Sequence, residues 1–297
     1  MGKLIDTNGL QRFWTNICKT VNFAGLTGTG AAAHNCLYRG KCLGTSVTDT
    51  QYAEIAAGTF RNLYVGDYWT INGQDWVICD FDYYIRCGSE EITDHHLILV
   101  PRTGMTIPSG TALYGTTGTL SFLTGESSTA FKWNSTNSTN GGYKYSRMRK
   151  TVMKAANTIV INAFGSNHVK AITELYPNPS NATASGIASS WAWFNNDSQS
   201  ADDAKSICDL CNETMVYEQQ IWSRGSEYTK MGYEIGFDKF QLSIFALDSG
   251  FANIRADWWL RSVTSDAHAA YVNRNGHADD YNASGACAVR PRFVLVG

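Results

Sequence analysis

Two apolar segments near the end of the chain decide the fold: Asp257-Trp-Trp-Leu-Arg-Ser262 and Ala288-Val-Arg-Pro-Arg-Phe-Val-Leu-Val296. Aromatic and β-branched residues dominate both, a composition that favours strands. The two tryptophans are expected to anchor the first strand in a core, and Phe293 and Leu295 the second. Three arginines suit buried carbonyl or carboxylate oxygens beside these strands, namely Arg261, Arg290 and Arg292. The two segments therefore predict a rigid frame.

A polar insert, Thr264 to Cys287, separates the two frame segments. It is punctuated by Gly and Ala and is not expected to pack inside. Its tyrosines offer wide amphipathic contact with few torsions to freeze, and its Asn, Asp and His residues offer adaptable hydrogen bonds, as in a paratope. The insert therefore predicts a ligand-facing surface. Its expected members are Asp266, His268, Tyr271, Asn273, Arg274, Asn275, His277, Asp279, Asp280, Tyr281 and Asn282.

Strands and a long loop are expected upstream of the frame. Tyr64–Ile71 and Asp75–Phe81 alternate large apolar with polar residues around Asn72-Gly73, a pair typical of tight β-hairpins. His96-Leu-Ile-Leu-Val-Pro101 predicts a further strand, which its proline ends. Residues 109–142 are rich in Gly, Ser, Thr and Asn and predict a surface loop, with the tract 134–140 too polar to bury.

Two helices are expected in the middle of the chain. An apolar stripe at helical spacing predicts the first, its members being Tyr145, Met148, Val152, Ala155 and Ile159. A second, shorter helix is expected to begin after Ser166 and to end at Pro177, with Val169, Ile172 and Leu175 inward. The first helix is locally basic. Because no aromatic residues interleave with its cations, a solvated face is favoured over contact with nucleic acid.

Charge and hydropathy argue against several classes of protein. The net charge of -2, from 24 basic and 26 acidic side chains, is unlike that of a general binder of the phosphate backbone. No apolar run approaches the roughly 18 residues that span a bilayer, so membrane insertion is not expected. The N-terminus lacks the pattern of a secretory signal, which predicts folding in a cytoplasm with reduced cysteines. Cys208 and Cys211 form one CxxC without a second ligand pair, so neither a metal nor a cofactor is expected.

Residues 1–57 are expected to attach the protein to an assembly or to other copies of itself. A short amphipathic helix is predicted by the spacing of Leu10, Phe13, Trp14, Ile17 and Val21. The apolar face of this helix needs a partner. That partner is its own domain, the same helix in about three associated copies of the chain, or a larger assembly. Phe23 to Gly58 is rich in Gly, Ala and Thr and predicts a linker or a loosely packed subdomain. The ligand-binding domain is then expected at residues 58–297.

The frame and its insert resemble the C-terminal variable region of C-type lectin-like variable proteins that are diversified by retroelements. Upstream, Val65-Gly-Asp-Tyr-Trp69, His95–Pro101 and Phe240-Gln-Leu-Ser-Ile-Phe245 are similar to a domain family of gut phages and prophages. The resemblance covers residues 58–297, and Leu4–Trp14 is similar to the start of phage tail-associated proteins. It implies an α+β, C-type lectin-like fold of the formylglycine-generating-enzyme type, with short antiparallel strands, two main helices and long loops.

The resemblance also implies a function, which is host recognition by a phage or prophage tail without catalysis. The implied partners are a host cell-surface protein or glycan, other tail proteins and further copies of the chain, with a trimer favoured. In such systems adenine-randomised codons never specify Lys, Glu, Gln, Met or Trp. These five types make up about one in seven residues of the chain, and none occurs from Thr264 to Cys287. The implied variable region is therefore about 264–287.

Three alternatives stay open at the level of sequence. The same fold carries formylglycine-generating oxidases, which need a reactive cysteine pair, whereas Cys287 stands alone locally. Lectins that bind sugar through calcium usually carry a Glu-Pro-Asn or Gln-Pro-Asp triplet and a Trp-Asn-Asp triplet. The chain has none of these triplets. An invariant structural tail protein would be favoured if related chains varied no more in 264–287 than in the flanks. His268 with Asp266, and His277 with Asp279, are pairs spaced by two residues that would suit acid-base catalysis or metal binding. Such pairs are common in loops by chance.

Overall fold

The computed structural model describes residues 30–85, 92–105, 131–183, 186–195, 207–223 and 241–297, with the backbone alone described at 173–183 and 186–195. The expected N-terminal helix and residues 109–130 of the expected loop lie outside these ranges. The helices within them are α1 (Ala31–His34), α2 (Asp49–Ala56), α3 (Gly142–Tyr145), α4 (Lys154–Phe164), α5 (Glu213–Tyr217) and α6 (Ser243–Leu247). A π-helical segment, Met148–Met153, runs directly into α4, and a 3-10 turn spans Ser249–Ala252.

The strands form three sheets. They are β1 (Cys42–Gly44), β2 (Tyr68–Ile71), β3 (Gln74–Phe81), β4 (His96–Pro101), β5 (Val169–Lys170), β6 (Thr173–Thr183), β7 (Gly186–Asn195), β8 (Asp209–Leu210), β9 (Trp258–Val263), β10 (His268–Val272), β11 (Ala278–Asn282) and β12 (Pro291–Val296). A seven-stranded mixed sheet has the order β1-β2-β3-β4-β12-β5, with β8 also beside β12. The second sheet is β11-β10-β9 and the third is β6-β7. The α+β class is confirmed, with α2 and α4 as the longer helices of the described chain.

The expected hairpin and strands around the frame are confirmed. β2 and β3 pair in antiparallel register across Asn72 and Gly73, whose φ angles are 53° and 78°. Positive φ at both central residues is the geometry of the tight hairpin turn that this pair favours. β4 has the predicted bounds, and β12 lies between β4 and β5.

The two frame segments are buried and hydrogen bonded to each other. Trp258 and Trp259 are fully buried, and the amide of Trp259 donates to the carbonyl of Ala288 at 2.9 Å. Arg290 is also fully buried, where its Nε donates to the carbonyl of Pro101 and its Nη1 to that of Phe251. The expectation of a buried aromatic frame with buried arginines is therefore confirmed, while its rigidity stays a prediction.

The predicted central helix forms, but its buried face differs from the predicted stripe. Met148 and Val152 are fully buried, whereas Tyr145 is 49% exposed. Further along, Ala156 and Val160 are buried in place of Ala155 and Ile159, which are only partly buried. The π-helical segment accounts for the shift beyond it, because each of its turns holds more residues than an α-helical turn and rotates the following face. Tyr145 precedes that segment and lies in the separate helix α3, which ends where the backbone of Ser146 is extended.

The second predicted helix is wrong. The chain forms β5 and then β6, which pairs with β7. Val169 and Ile172 are buried as expected, but Val169 lies opposite Leu295 in the large sheet. A sheet edge beside β12 outweighs local helical spacing, because pairing satisfies the backbone while it buries the same side chains.

Residues 30–57 pack on the large sheet. β1 pairs in parallel with β2, and the buried carboxylate of Asp67 accepts hydrogen bonds from the Arg39 guanidinium and from the amides of Lys41 and Tyr64. α2 begins with a capping box between Thr48 and Gln51. From residue 30 onward these contacts differ from the expected linker, while the division of the chain at residue 57 stays a prediction.

One buried carboxylate makes stability depend on pH. Asp80 accepts hydrogen bonds from Asn35 Nδ2 at 3.0 Å and from the amide and hydroxyl of Ser243 at 2.9 and 2.8 Å. Burial raises the pKa of Asp80 to about 6, although the hydrogen bonds from Ser243 oppose the rise. An acid with a higher pKa in the folded chain than in the unfolded chain binds more protons when folded, so rising pH favours unfolding.

We expect the free energy of unfolding of the native protein to fall, relative to an Asp80→Asn variant, between about pH 4 and pH 7. The fall should be at most about 3 kcal/mol and is measured by urea unfolding at several pH values. A Ser243→Ala variant should move the fall to higher pH, because it removes a hydrogen bond to the ionised form. Parallel stability curves for the native and Asp80→Asn proteins would contradict this expectation.

Candidate ligand-binding surface

The polar insert folds as a β-hairpin attached to the frame. β10 pairs with β9 of the frame on one side and with β11 on the other, both in antiparallel register. Within the described chain β11 pairs with no other strand, so it is the outer strand of this sheet. The hairpin therefore extends the sheet from the buried strand β9 to the outer strand β11.

The turn of the hairpin is shaped by Asn273. Its side-chain oxygen accepts hydrogen bonds from the amides of Asn275 and His277 at 3.0 and 3.1 Å. Its own amide donates to the carbonyl of His277 at 2.8 Å, and Gly276 supplies the positive φ of 84° that closes the turn. Asn273, predicted as a ligand contact, thus has a structural role in the turn.

Strand alternation divides the predicted residues between two faces. In β10 and β11, directly opposed residues share a face and neighbours alternate. Tyr271 lies opposite Asp279, and Tyr281 lies two residues further along the same face; we call these three residues the tyrosine face. His268, Asp280 and Asn282 lie on the other side, which we call the histidine face. The exposed turn residues Arg274, Asn275 and His277 form a third group, the hairpin tip.

The tyrosine face is backed by a buried tryptophan. The rings of Tyr271 and Tyr281 lie 5.8 Å apart, and each lies 6.2 Å from the ring of Trp259. The hydroxyl of Tyr271 donates to Asp279 Oδ2 at 3.2 Å. Burial, with the nearby carboxylate of Asp279, raises the pKa of Tyr271, so its hydroxyl stays protonated at neutral pH. Tyr281 is 44% exposed and is the large apolar contact surface of this face.

The histidine face holds an oriented imidazole. His268 Nδ1 lies 2.9 Å from Asp280 Oδ2, and the hydroxyl of Thr264 donates to the same oxygen at 3.2 Å. Asn282 Oδ1 accepts a hydrogen bond from Asn137 Nδ2 at 3.1 Å. Since Asp280 engages Nδ1, the other ring nitrogen of His268 is the one left for an external partner.

None of the eleven predicted residues is buried, and six are exposed: Asp266, Arg274, Asn275, His277, Tyr281 and Asn282. The expectation that the whole insert stays outside the core is wrong, however, because Ala269, Ala270, Val272 and Ala283 are fully buried. These small residues let the hairpin lie against the frame while its polar side chains remain accessible. The predicted residues share one hairpin and two faces, not a single flat patch.

Residues far along the chain also contribute to this region. Trp222, 46% exposed, donates from Nε1 to the carbonyl of Ala278 on the outer strand at 3.1 Å. The hydroxyl of Tyr217 donates to the carbonyl of Gly276 at 2.9 Å. The amide of Thr139 donates to the backbone carbonyl of Asp266, and its hydroxyl donates to that of Ser265. Contrary to the expectation that the tract 134–140 stays unburied, Thr139 within it is buried. Nothing in the local pattern of these residues marks them as neighbours of the insert.

The cysteine next to the frame lacks the features of a reactive cysteine. Cys287 is buried, and burial raises the pKa of its thiol well above the ordinary value, as it does for Cys208. A protonated thiol is a poor nucleophile and a poor metal ligand. Within the described ranges, no three His, Cys, Asp or Glu side chains are grouped as metal ligands. In the same ranges, no helix is both long and apolar enough to cross a membrane.

No protein-family model, curated protein or solved structure matches this chain. The resemblance to variable proteins of retroelements therefore rests on the motifs of the sequence, and the C-type lectin-like assignment stays a prediction. The α+β architecture and the exposed hairpin on a buried aromatic frame are properties of the structure itself.

Loss of the backing tryptophan should destabilise the whole protein. A Trp259→Ala substitution leaves a cavity beneath both tyrosines and removes the hydrogen bond from Nε1 to the carbonyl of Phe131 at 2.7 Å. The expected loss is about 3 to 5 kcal/mol in the free energy of unfolding, measured by urea denaturation. Trp222→Ala is the matched control, with an expected loss of no more than about 1.5 kcal/mol for one exposed hydrogen bond. Equal losses in both variants would show that Trp259 stabilises the fold no more than the partly exposed Trp222 does.

Proposed function

We propose that this protein is a receptor-binding protein of a phage or prophage tail, in which a C-type lectin-like domain displays a diversified hairpin to the host surface. The observation that carries the proposal is the exposed polar hairpin β10–β11 on a fully buried aromatic strand. Recognition surfaces that vary need a rigid support whose stability does not depend on the varying side chains. The motifs quoted above add the resemblance to phage variable proteins.

The hydrogen bonds of the hairpin support this separation between scaffold and surface. Backbone pairing with β9 and buried alanines hold β10, and neither depends on which polar side chain stands on the outer positions. Among the described residues, the side chains of Asn275 and His277 make no hydrogen bond within the chain. Such positions tolerate substitution at little cost in stability, usually within about 0.5 kcal/mol.

The mode of action is non-covalent adsorption to a host cell-surface protein or glycan. Residues 1–57 attach the domain to other tail proteins or to further copies, with a trimer favoured. Several copies on one virion raise a weak single-site affinity through effective concentration. The chain is made in the host cytoplasm and is located in the virion tail.

An oxidase of the formylglycine-generating type has less support. That chemistry needs a reactive cysteine pair near the C-terminal core, whereas Cys79, Cys208 and Cys287 are buried with raised thiol pKa values. The exposed cysteines of the described chain, Cys36 and Cys42, belong to the N-terminal region. An invariant structural tail protein does not require an exposed hairpin of this composition. We therefore place the protein among binding proteins and not among enzymes.

The hairpin should be needed for cell binding but not for folding. A triple variant with Asn275→Ala, His277→Ala and Tyr281→Ala should lose at least about tenfold in binding to cells while its melting temperature changes by no more than a few degrees. Fluorescently labelled full-length protein is tested by flow cytometry on a panel of gut bacteria that includes strains bound by the native protein.

The control for that test is a double variant at exposed positions outside the hairpin, Arg61→Ala with Thr158→Ala, which should bind like the native protein. Unchanged cell binding by the triple variant would refute the hairpin as the contact surface. A triple variant that unfolds would refute the independence of surface and scaffold.

Diversification makes a separate prediction about the neighbouring DNA. We expect a near-copy of the 3′ coding end beside a reverse transcriptase gene, with adenines at the codons for residues within about 264–287. Sequencing of the flanking DNA and of related chains measures this directly. Related chains that vary no more in 264–287 than in the flanks would instead favour an invariant structural tail protein.

A further inference from the structure

A cleft lies beside the hairpin tip and outside the predicted variable region. It has a volume of about 250 Å³, and its walls include Arg102, Asp248, Phe251, Asn253 and Arg255. Gly276 of the turn touches this wall, since a Cβ atom there would lie 3.2 Å from the Cβ of Asn253. Clefts that enclose drug-sized molecules have roughly 300–1,000 Å³, so this one suits a single sugar-sized group.

Two of the side chains that line the cleft are positive, Arg102 and Arg255, and one is negative, Asp248. Arg102 stacks on the ring of Tyr68 at 4.5 Å, and its Nε lies 3.3 Å from Asp75 Oδ2. Arg255 is exposed, and its guanidinium makes no ion pair or hydrogen bond with any described residue. Asp248 is the acid of the lining. The lining therefore leaves one guanidinium free to bind an external anion.

Arg255 also has an unusual backbone. Its φ of 59° lies in the left-handed region, where a residue with a Cβ atom is strained and glycine is not. Backbone strain of this kind is found preferentially at binding and active sites. The strain is relieved by glycine, which makes the position useful for a test.

A third arginine lies behind the wall of the cleft. Arg290 is fully buried and binds the carbonyls of Pro101 and Phe251, which directly precede or belong to residues of the cleft wall. No described carboxylate pairs with it, and its Nη2 has no hydrogen-bond partner in the described chain. Burial lowers its pKa to about 10, so it stays charged at neutral pH. A charge in a low-dielectric interior is weakly screened and adds to the positive potential of the cleft.

We propose that this cleft binds an anionic sugar of the host surface, with Arg255 and Arg102 contacting its carboxylate or phosphate group. Guanidinium groups match both oxyanions, because their donors form a planar fork. Asn253 Nδ2 and the oxygen of the Thr103 hydroxyl are left for sugar hydroxyls, because Asn253 Oδ1 accepts from the amide of Arg255 and the Thr103 hydroxyl donates to the carbonyl of Gly104. The inference rests on the proposed function, since it assigns the chemical class of the host ligand. The cleft then recognises the class of ligand, while the adjacent hairpin tip distinguishes its members.

Titration calorimetry of the full chain with glucuronate, glucose 6-phosphate, glucose and inorganic phosphate tests the proposal. At least one anionic sugar should bind roughly tenfold or more tightly than glucose, and the tighter of the two identifies the oxyanion. Inorganic phosphate should bind more weakly than the preferred sugar. Anionic sugars that bind no better than glucose, or no better than inorganic phosphate, would overturn the proposal.

Two variants locate the binding. Arg255→Gly removes the guanidinium and suits the positive φ, so the protein should fold with equal or greater stability and bind the anionic sugar at least about tenfold more weakly. Arg255→Gln keeps the length of the side chain and should weaken binding similarly. Arg61→Gln, at an exposed arginine elsewhere, should bind like the native protein. Native affinity in both Arg255 variants would also overturn the proposal.

The hairpin triple variant separates this inference from the proposed function. It keeps Arg102 and Arg255, so it should still bind the anionic sugar in calorimetry even after it has lost binding to cells. If no anionic sugar binds while cells are bound through the hairpin, the cleft proposal alone is wrong. If the sugar binds while the hairpin has no effect on cell binding, the hairpin is not the contact surface of the proposed function and the cleft remains a site for anionic sugars.

Discussion

The pairing of β10 with β9 is the interaction on which the exposed surface depends. β9 carries Trp258 and Trp259, which are fully buried, and the amide of Trp259 is hydrogen bonded to Ala288 next to β12. Backbone hydrogen bonds between β10 and β9 therefore attach the hairpin to the core, and contacts such as those from Trp222 and Tyr217 support it further. Because the bonds between β10 and β9 involve only the main chain, they do not depend on which side chains point outward. This arrangement lets the outward side chains change while the fold is kept.

Strand geometry also limits how that surface can act. Alternation sends Tyr271 and Tyr281 to one side and His268 and Asp280 to the other, so one flat ligand cannot contact both faces at once. The side chains of the hairpin tip, by contrast, are exposed, and the turn beside them adjoins the cleft that Arg102 and Arg255 help to line. A ligand seated at the tip would therefore lie beside the cleft. In that arrangement the cleft contributes charge, and the hairpin contributes shape and hydrogen bonds.

Local pattern predicted the elements in which one interaction dominates. The Asn72-Gly73 hairpin and β4 form as expected, because turn chemistry and a terminal proline act within a few residues. The expected helix after Ser166 fails because β12 offers an open neighbour, and a strand there satisfies more backbone groups. The central helix is present, but its π-helical segment rotates the buried face in a way that apolar spacing does not reveal.

The amino-acid sequence by itself determined that an aromatic frame brackets a polar, accessible insert, since burial of tryptophan and exposure of Asn, Asp and His follow from their hydration. Only the tertiary structure decided that the insert is a two-faced hairpin with Asn273 committed to its turn, and that Trp222 and the arginines of the cleft lie beside it. The reason is distance along the chain. Contacts such as that between Trp222 and Ala278, 56 residues apart, are set by how strands pair, and no local pattern encodes them.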